Sequence, residues 1–315
     1  MNIHPEMIWL RAVTAGVMLG FSTLAPTAQA EAYGSGWYGE VQASYGYEDN
    51  ISRTAHSEPS DQLSTVSLGG GYSAKVGDRA QVILSSYATY TRHDEFDALD
   101  NLAVSAGMDF TVQPRAGFAA PWYNLTVNLT NFEYRDSDSR EGMLFDADLS
   151  ASRRLTPTIT GHLGLRYRDF FFRGKSTEEE ARDAAFDVDS QEIYAGVDVQ
   201  LRTFTYLFAE VAFRHGDVLS TKAGGPSAGR TTPPSKPYSA ETIDTIFDAP
   251  CERRCVTGYA YRSRGDTTTA TLGVAFPVST LGVNMDISAM WFDAEGASGT
   301  SYRDQMLKLG MIWNF

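Results

Sequence analysis

Between Trp37 and Phe315 the chain switches twelve times into strict alternation of apolar with polar or small residues, each run about one strand long. A period of two marks an extended segment whose faces meet different surroundings. In the first run, Trp37–Tyr47, the side chains of Trp37, Val41, Ala43 and Tyr45 share one face, and Glu40, Gln42 and Ser44 the other. Leu63–Ala74 repeats the pattern with Val66, Leu68 and Tyr72. Further runs are marked by Leu84 and Tyr90, Leu102 to Phe110, Tyr123 to Leu129, Phe145 to Ala151, and Leu163 to Tyr167. Ile193 to Leu201, Leu207 to Phe213, Ala270 to Phe276 and Leu281 to Trp291 complete the series before the last run, Gln305–Phe315. That last run is apolar at Leu307, Leu309, Met311, Trp313 and Phe315, with Lys308, Gly310, Ile312 and Asn314 between them. No turn follows it. An apolar strand left as an open edge invites aggregation, so the expectation is a sheet closed on itself.

A final strand that is apolar at every second position and ends in an aromatic residue resembles the last strand of bacterial outer-membrane β-barrels, porin-like in build. The resemblance is architectural, covers the mature chain and reaches no particular family. It implies a Gram-negative outer membrane, contact with outer-membrane lipid and lipopolysaccharide, and recognition of the C-terminal strand by the barrel assembly machinery. The expected fold is therefore all-β: a 12-stranded antiparallel transmembrane β-barrel with short periplasmic turns and long extracellular loops.

The N-terminal end fits that address. Arg11, the apolar run Ala12–Leu24 and the small-x-small site Ala28-Gln29-Ala30 make residues 1–30 a cleaved secretory signal peptide, leaving 31–315 as a single barrel domain. The apolar run falls short of the ~20 residues of a membrane-spanning helix, and no later segment is long and apolar enough. A slightly negative mean hydropathy is what alternating lipid-facing and water-facing residues give. The net charge of −13 argues against nucleic acid and against docking on anionic lipid through a basic patch. Outside the cytoplasm, Cys251 and Cys255 in Cys-Glu-Arg-Arg-Cys read as a small-loop disulfide; a lone pair lacks the four ligands of a structural zinc site. No cofactor is expected.

Connector lengths alternate in the same sense. Val76–Asp78, Gln113–Pro121, Leu155–Thr158, Arg202-Thr203 and Pro277–Thr280 are short or compact. Asp49–Asp61, Arg173–Asp187, His215–Tyr259 and Asp293–Tyr302 are longer and more polar. Within Arg173–Asp187, Ser176-Thr177-Glu178-Glu179 is a capping box expected to open a short helix ending about Phe186. The long extracellular loop, about 215–259, holds Pro233-Pro234, Pro237 and both cysteines, and either folds inward as a constriction or stands outward as a binding surface.

The polar faces define the expected lumen lining: Glu40, Asp109, Asp146, Asp148, Glu192, Asp198, Glu210 and Asp286, against Arg166, Arg168, Arg214 and Lys308. A hairpin fixes which residues face each other. Centring one turn on Thr156–Thr158 sets Asp148 against Arg166 and Asp146 against Arg168; centring the next on Thr203 sets Glu192 against Arg214. A last hairpin centred near Ala297 would set Asp286 against Lys308. Glu40, Asp109, Asp198 and Glu210 are left over as an acidic wall that favours cations. The inward aromatics Tyr87, Tyr194, Tyr206 and Phe208 either guide a solute or fill space.

These features point first to a narrow passive channel for small hydrophilic solutes with a mild cation preference. The second reading is a structural or surface-interaction barrel that binds a partner through its outer loops. The third is a lipid-modifying or proteolytic enzyme using His215, Asp217 and Ser220 at the rim; without a hydrolase motif the chain is read as non-enzymatic. His162 is expected to face inward near Ser150 or Ser152. The segments Glu48-Asp49-Asn50 and Asp136-Ser137-Asp138 offer oxygen ligands but match no defined metal loop, so no metal site is expected.

Overall fold

A computed structural model describes residues 35–54, 59–137, 140–172, 184–223, 240–243, 246, 258–278, 282–296 and 301–315. The expected signal peptide, the Cys251–Cys255 disulfide and the capping box at Ser176–Glu179 lie outside the described residues.

The strands are β1 (Gly36–Glu48), β2 (Asp61–Val76), β3 (Ala80–His93), β4 (Asn101–Val112), β5 (Trp122–Tyr134), β6 (Gly142–Arg154) and β7 (Ile159–Phe172). They continue as β8 (Val188–Arg202), β9 (Thr205–Ala223), β10 (Ala240–Ile243), β11 (Gly258–Pro277), β12 (Val283–Gly296) and β13 (Tyr302–Asn314). Every pairing is antiparallel. Twelve of the strands close into a barrel, because β9 pairs with β11 and β13 pairs with β1. The short β10 stands beside β11 at Tyr259–Arg262, beyond the point where β12 stops pairing. Asp97–Leu99 and Ala184–Phe186 are single 3-10 turns, so the described end of the expected helix is a turn rather than α-helix.

The alternation sorts the barrel inside out. On the outer face Leu163 is 60 % exposed and Leu307 58 %; on the inner face Glu40 is 1 % exposed and Arg166 5 %. A water-soluble domain does the reverse. Such a surface is stable where the outer solvent is acyl chain and every backbone group is paired around a closed sheet. Exposed aromatics lie toward both ends, Tyr47, Tyr90 and Phe171 toward the long loops, and at the short-turn end Trp37 packs on Tyr72 at 5.1 Å and Trp313 on Phe315 at 5.4 Å between ring centroids. Amphipathic rings favour the level of the lipid headgroups.

One glycine marks the end of the closing seam, beyond the nine β1–β13 pairs. The Phe315 N–H donates to the Gly39 carbonyl at 3.0 Å, and the Gly39 N–H donates back at 2.9 Å. The Phe315 ring lies over Gly39 where any Cβ would collide with it. A glycine on one strand covered by an aromatic from the next is a recurrent way of pinning register.

Three strands run past the limits expected from the alternation, β11 among them, since it begins at Gly258 rather than near Ala270. β9 continues from His215 to Ala223, and β12 from Asp293 to Gly296, so both enter segments read as loop. The reason is pairing: β9 and β11 remain in register from Tyr206–Ala275 to Ala223–Gly258, although their side chains there no longer alternate in polarity.

Candidate functional site: the lumen and its mouth

All twelve expected lumen residues lie on the inner face of the sheet. Seven inward residues on consecutive barrel strands face one another directly, in the order Asp109, Thr126, Asp148, Arg166, Glu192, Arg214 and Thr267. Rows perpendicular to tilted strands climb the wall, so this one rises from near the short-turn end of β4 toward the outer half of β11. The Thr126 hydroxyl donates to Asp109 at 2.5 Å. Arg166 lies 3.2 Å from Asp148, pairs with Glu192, and stacks 4.7 Å from the Tyr194 ring centroid. Arg214 donates to the Thr267 hydroxyl at 2.9 Å. The row one step nearer the outer end holds Asp146, which accepts from Arg168 Nε at 2.9 Å. Opposite charges alternating across strands favour a single register. Three of the four expected cross-strand pairs therefore occur as direct partners.

The fourth does not. Lys308 faces Ser288, and Asp286 faces Gly310, so the hairpin is centred one residue beyond Ala297. The Asp286 carboxylate lies over Gly310 in space that a side chain would fill. Lys308 becomes its diagonal neighbour.

Glycine makes room for large inward side chains elsewhere too. Tyr87 lies across Gly69, Tyr194 across Gly164, Phe208 across Gly273 and His162 across Gly196, each pair in direct register. Of the four inward aromatics expected to guide solute or fill space, three thus lie flat against the wall, and Tyr206 is also buried. The Tyr194 hydroxyl donates to Asp148 at 2.8 Å, which ties that ring into the charge row.

The four leftover carboxylates are not an open acidic wall. His162, opposite Ser152, sits 3.7 Å from Asp198 and 3.3 Å from Glu210. Gln42 donates to Glu40, and Asp109 accepts from Thr126. Glu40 has its partner on its own strand and Asp109 across its own hairpin, whereas Asp198 and Glu210 reach His162 on β7, one and two strands away.

The mouth is built differently. After β1 the chain turns inward: the Asn50 side-chain amide donates to the carbonyls of Thr54 at 2.9 Å and Arg303 at 2.7 Å, and its oxygen accepts from the Thr54 N–H at 3.1 Å. Arg53 follows with φ 55°, a left-handed conformation uncommon for a side-chain-bearing residue. Its guanidinium is buried, with Glu48 at 3.8 Å. Burial alone would lower its pKa, but Tyr302, Glu48 and Asp304 outweigh that and hold it above the ordinary arginine value. From the other side comes β9. Its pairing with β8 ends at Gly216, where a side chain would strike the backbone of Asp189 and Ser190. Beyond that point Val218 packs with Ala294 and Tyr302. The Ser220 hydroxyl donates to the Arg53 carbonyl at 2.7 Å, and the Thr221 N–H donates to the Ser52 carbonyl at 3.0 Å. Sequence reasoning missed Arg53, Asp304, Tyr134 and Tyr302; the one available signal was the turn-forming Asp49-Asn50 after β1.

The rim triad does not assemble. His215 faces outward and pairs with Asp266 at 2.8 Å, Asp217 lies near Arg262 and Arg264, and Ser220 points the other way onto Arg53. Glu48 and Asn50, from the first acidic segment, are taken up by Arg53 and by backbone groups. Among the described residues no group of three or more His, Cys, Asp or Glu is placed to hold a metal ion.

Neither a family model nor a curated protein matches the sequence. Among solved structures, the chain is similar to the COG4313 outer membrane channel from Pseudomonas putida F1. The match has 9% identity and a TM-score of 0.55, covering 89% of this chain and 96% of that one. Weaker likenesses include the CymD monoaromatic hydrocarbon channel (9% identity, TM-score 0.46, 93% and 91% covered) and the NanC porin (7%, 0.45, 87% and 98%). At this identity, the first of these speaks for the fold: that of an outer-membrane β-barrel.

Proposed function

We propose that this chain is an integral outer-membrane protein that forms a narrow passive channel for small hydrophilic solutes, with a mild preference for cations. The observation that carries this reading is the polar row from Asp109 to Thr267. Keeping charges in a barrel interior costs desolvation that an aliphatic filling of similar volume avoids. A barrel that served only as a scaffold would gain stability by replacing the row; a barrel that conducts water and ions needs it. Carboxylates outnumber cations on the inner face, which supports the cation preference. The Asp146–Arg168 and Asp148–Arg166–Glu192 groups hold register and narrow the lumen together. Export by the N-terminal signal peptide, and assembly through the C-terminal strand, belong to the same reading.

Planar-bilayer recording of the full mature chain tests it. Discrete steps are expected, with a reversal potential under a KCl gradient that favours K⁺. A correctly folded barrel that stays silent would overturn the channel. One observation favours a second reading, a closed structural or surface-interaction barrel: most inner-face side chains of the row are buried rather than open to a pore. Silence in the bilayer together with capture of a partner by the outer loops would support it. The reading gives His215, Asp217 and Ser220 no catalytic role, since they do not converge.

A further inference from the structure

The channel reading leaves open where a solute meets its narrowest point. We infer that the constriction is the inward segment Asn50–Thr54, and that Arg53 is the charge that selects what passes it; the inference rests on the channel reading. Four observations converge. The segment is buried at the mouth: Asn50, Ser52, Arg53 and Thr54 are all under 9 % exposed, although they belong to a connection between strands. Connections ordinarily run over the surface because buried backbone must find partners. Here the partners come from distant strands. Thr221 and Ser220 on β9 hold the carbonyls of Ser52 and Arg53, and Asn50 holds the carbonyl of Arg303 on β13. The segment is therefore fastened to two places on the rim four barrel strands or fewer from its own root.

Its charge is also placed centrally. The carbonyls of Ser52 and Arg53 are held by β9, four barrel strands round from the β1 root, so the segment that carries the guanidinium crosses part of the mouth, with Glu48 3.8 Å from the Arg53 side chain. The left-handed backbone at Arg53 aims the side chain inward, and strain of this kind, about 1 kcal/mol or more, persists only where surrounding contacts over-determine it. A solute entering from the long-loop end must pass the one fixed cation in this segment before it reaches the charged row below. Arg53 thus offsets the acidic lumen and keeps the cation preference mild.

The test uses the full mature chain with Cys251 and Cys255 replaced by Ser. In it, Ser52→Cys with Thr221→Cys should cross-link on oxidation, giving a shift in gel mobility that reductant reverses. Conductance should be the same oxidised and reduced, because the cross-link fixes the segment where Thr221 already holds it. Arg53→Ala should raise single-channel conductance at least twofold and increase the K⁺/Cl⁻ permeability ratio severalfold; Arg53→Lys should restore most of the selectivity. A Ser52→Cys, Thr221→Cys pair that fails to cross-link in a conducting barrel, or current that is indifferent to Arg53→Ala, overturns the inference and leaves the channel standing. A cross-link that forms in a barrel silent in every variant overturns the channel reading, and the inference with it.

Discussion

The middle of the lumen and its mouth solve the same problem, filling a barrel with polar groups, by opposite means. In the middle, each charge meets a partner on the neighbouring strand: Asp148 with Arg166, Arg166 with Glu192, Asp146 with Arg168. At the mouth, the hydrogen bonds join residues 167 and 253 positions apart, Ser220 with Arg53 and Asn50 with Arg303. The first region is set by strand register and cannot move without breaking the sheet. The second is a segment laid onto the wall by contacts that lie outside the strand ladder. Stability should therefore depend chiefly on the row, and passage on the mouth.

Arg166→Ala is the severest way to strike that contrast. It leaves Asp148 and Glu192 facing each other without their shared cation, and removing one partner of a buried pair costs about 3–5 kcal/mol. The urea midpoint of the lipid-reconstituted protein should drop accordingly, and Arg166→Met combined with Glu192→Gln should recover part of the loss. If Arg53→Ala destabilised as much as Arg166→Ala, the division between wall and mouth would be wrong. Gly164→Val comes next. Its side chain would displace Tyr194 and through it the bond to Asp148, and overpacking of this kind costs about 1–3 kcal/mol. Trimming the ring with Tyr194→Ala in the same chain should relieve the clash, which separates it from any intrinsic dislike of valine there. His215→Ala should do least. The His215–Asp266 pair is more than half exposed, and such pairs contribute about 0–1 kcal/mol. Its loss should leave unfolding and conductance alike unchanged.

What could be read from the sequence follows the same division. Period-two alternation gave the inner face of every strand, and short turns gave the pairing of β6 with β7 and of β8 with β9, because a two- to four-residue turn leaves little freedom of register. The β12–β13 hairpin was misjudged by one residue of centring, since its longer connection fixes register less than Asp286 lying over Gly310 does. The partners of Asp198 and Glu210 were invisible for another reason. His162 reaches Glu210 across Gly196, skipping a strand, and only the absence of a side chain in between permits it. The mouth was hardest of all. Nothing in the alternation shows that Asn50–Thr54 turns in, or that β9 keeps pairing beyond His215, because both depend on contacts between segments far apart along the chain.

The meeting of Phe315 with Gly39 has a consequence for how such a molecule comes into being. Its two participating strands pair residues as far apart along the chain as Glu40 and Asn314, so this seam joins the most distant strands of the barrel. Contacts of such long sequence separation form slowly. A bulkier residue at position 39 would push the exposed Phe315 ring aside at this seam, while the nine strand pairs from Glu40–Asn314 to Glu48–Met306 remain.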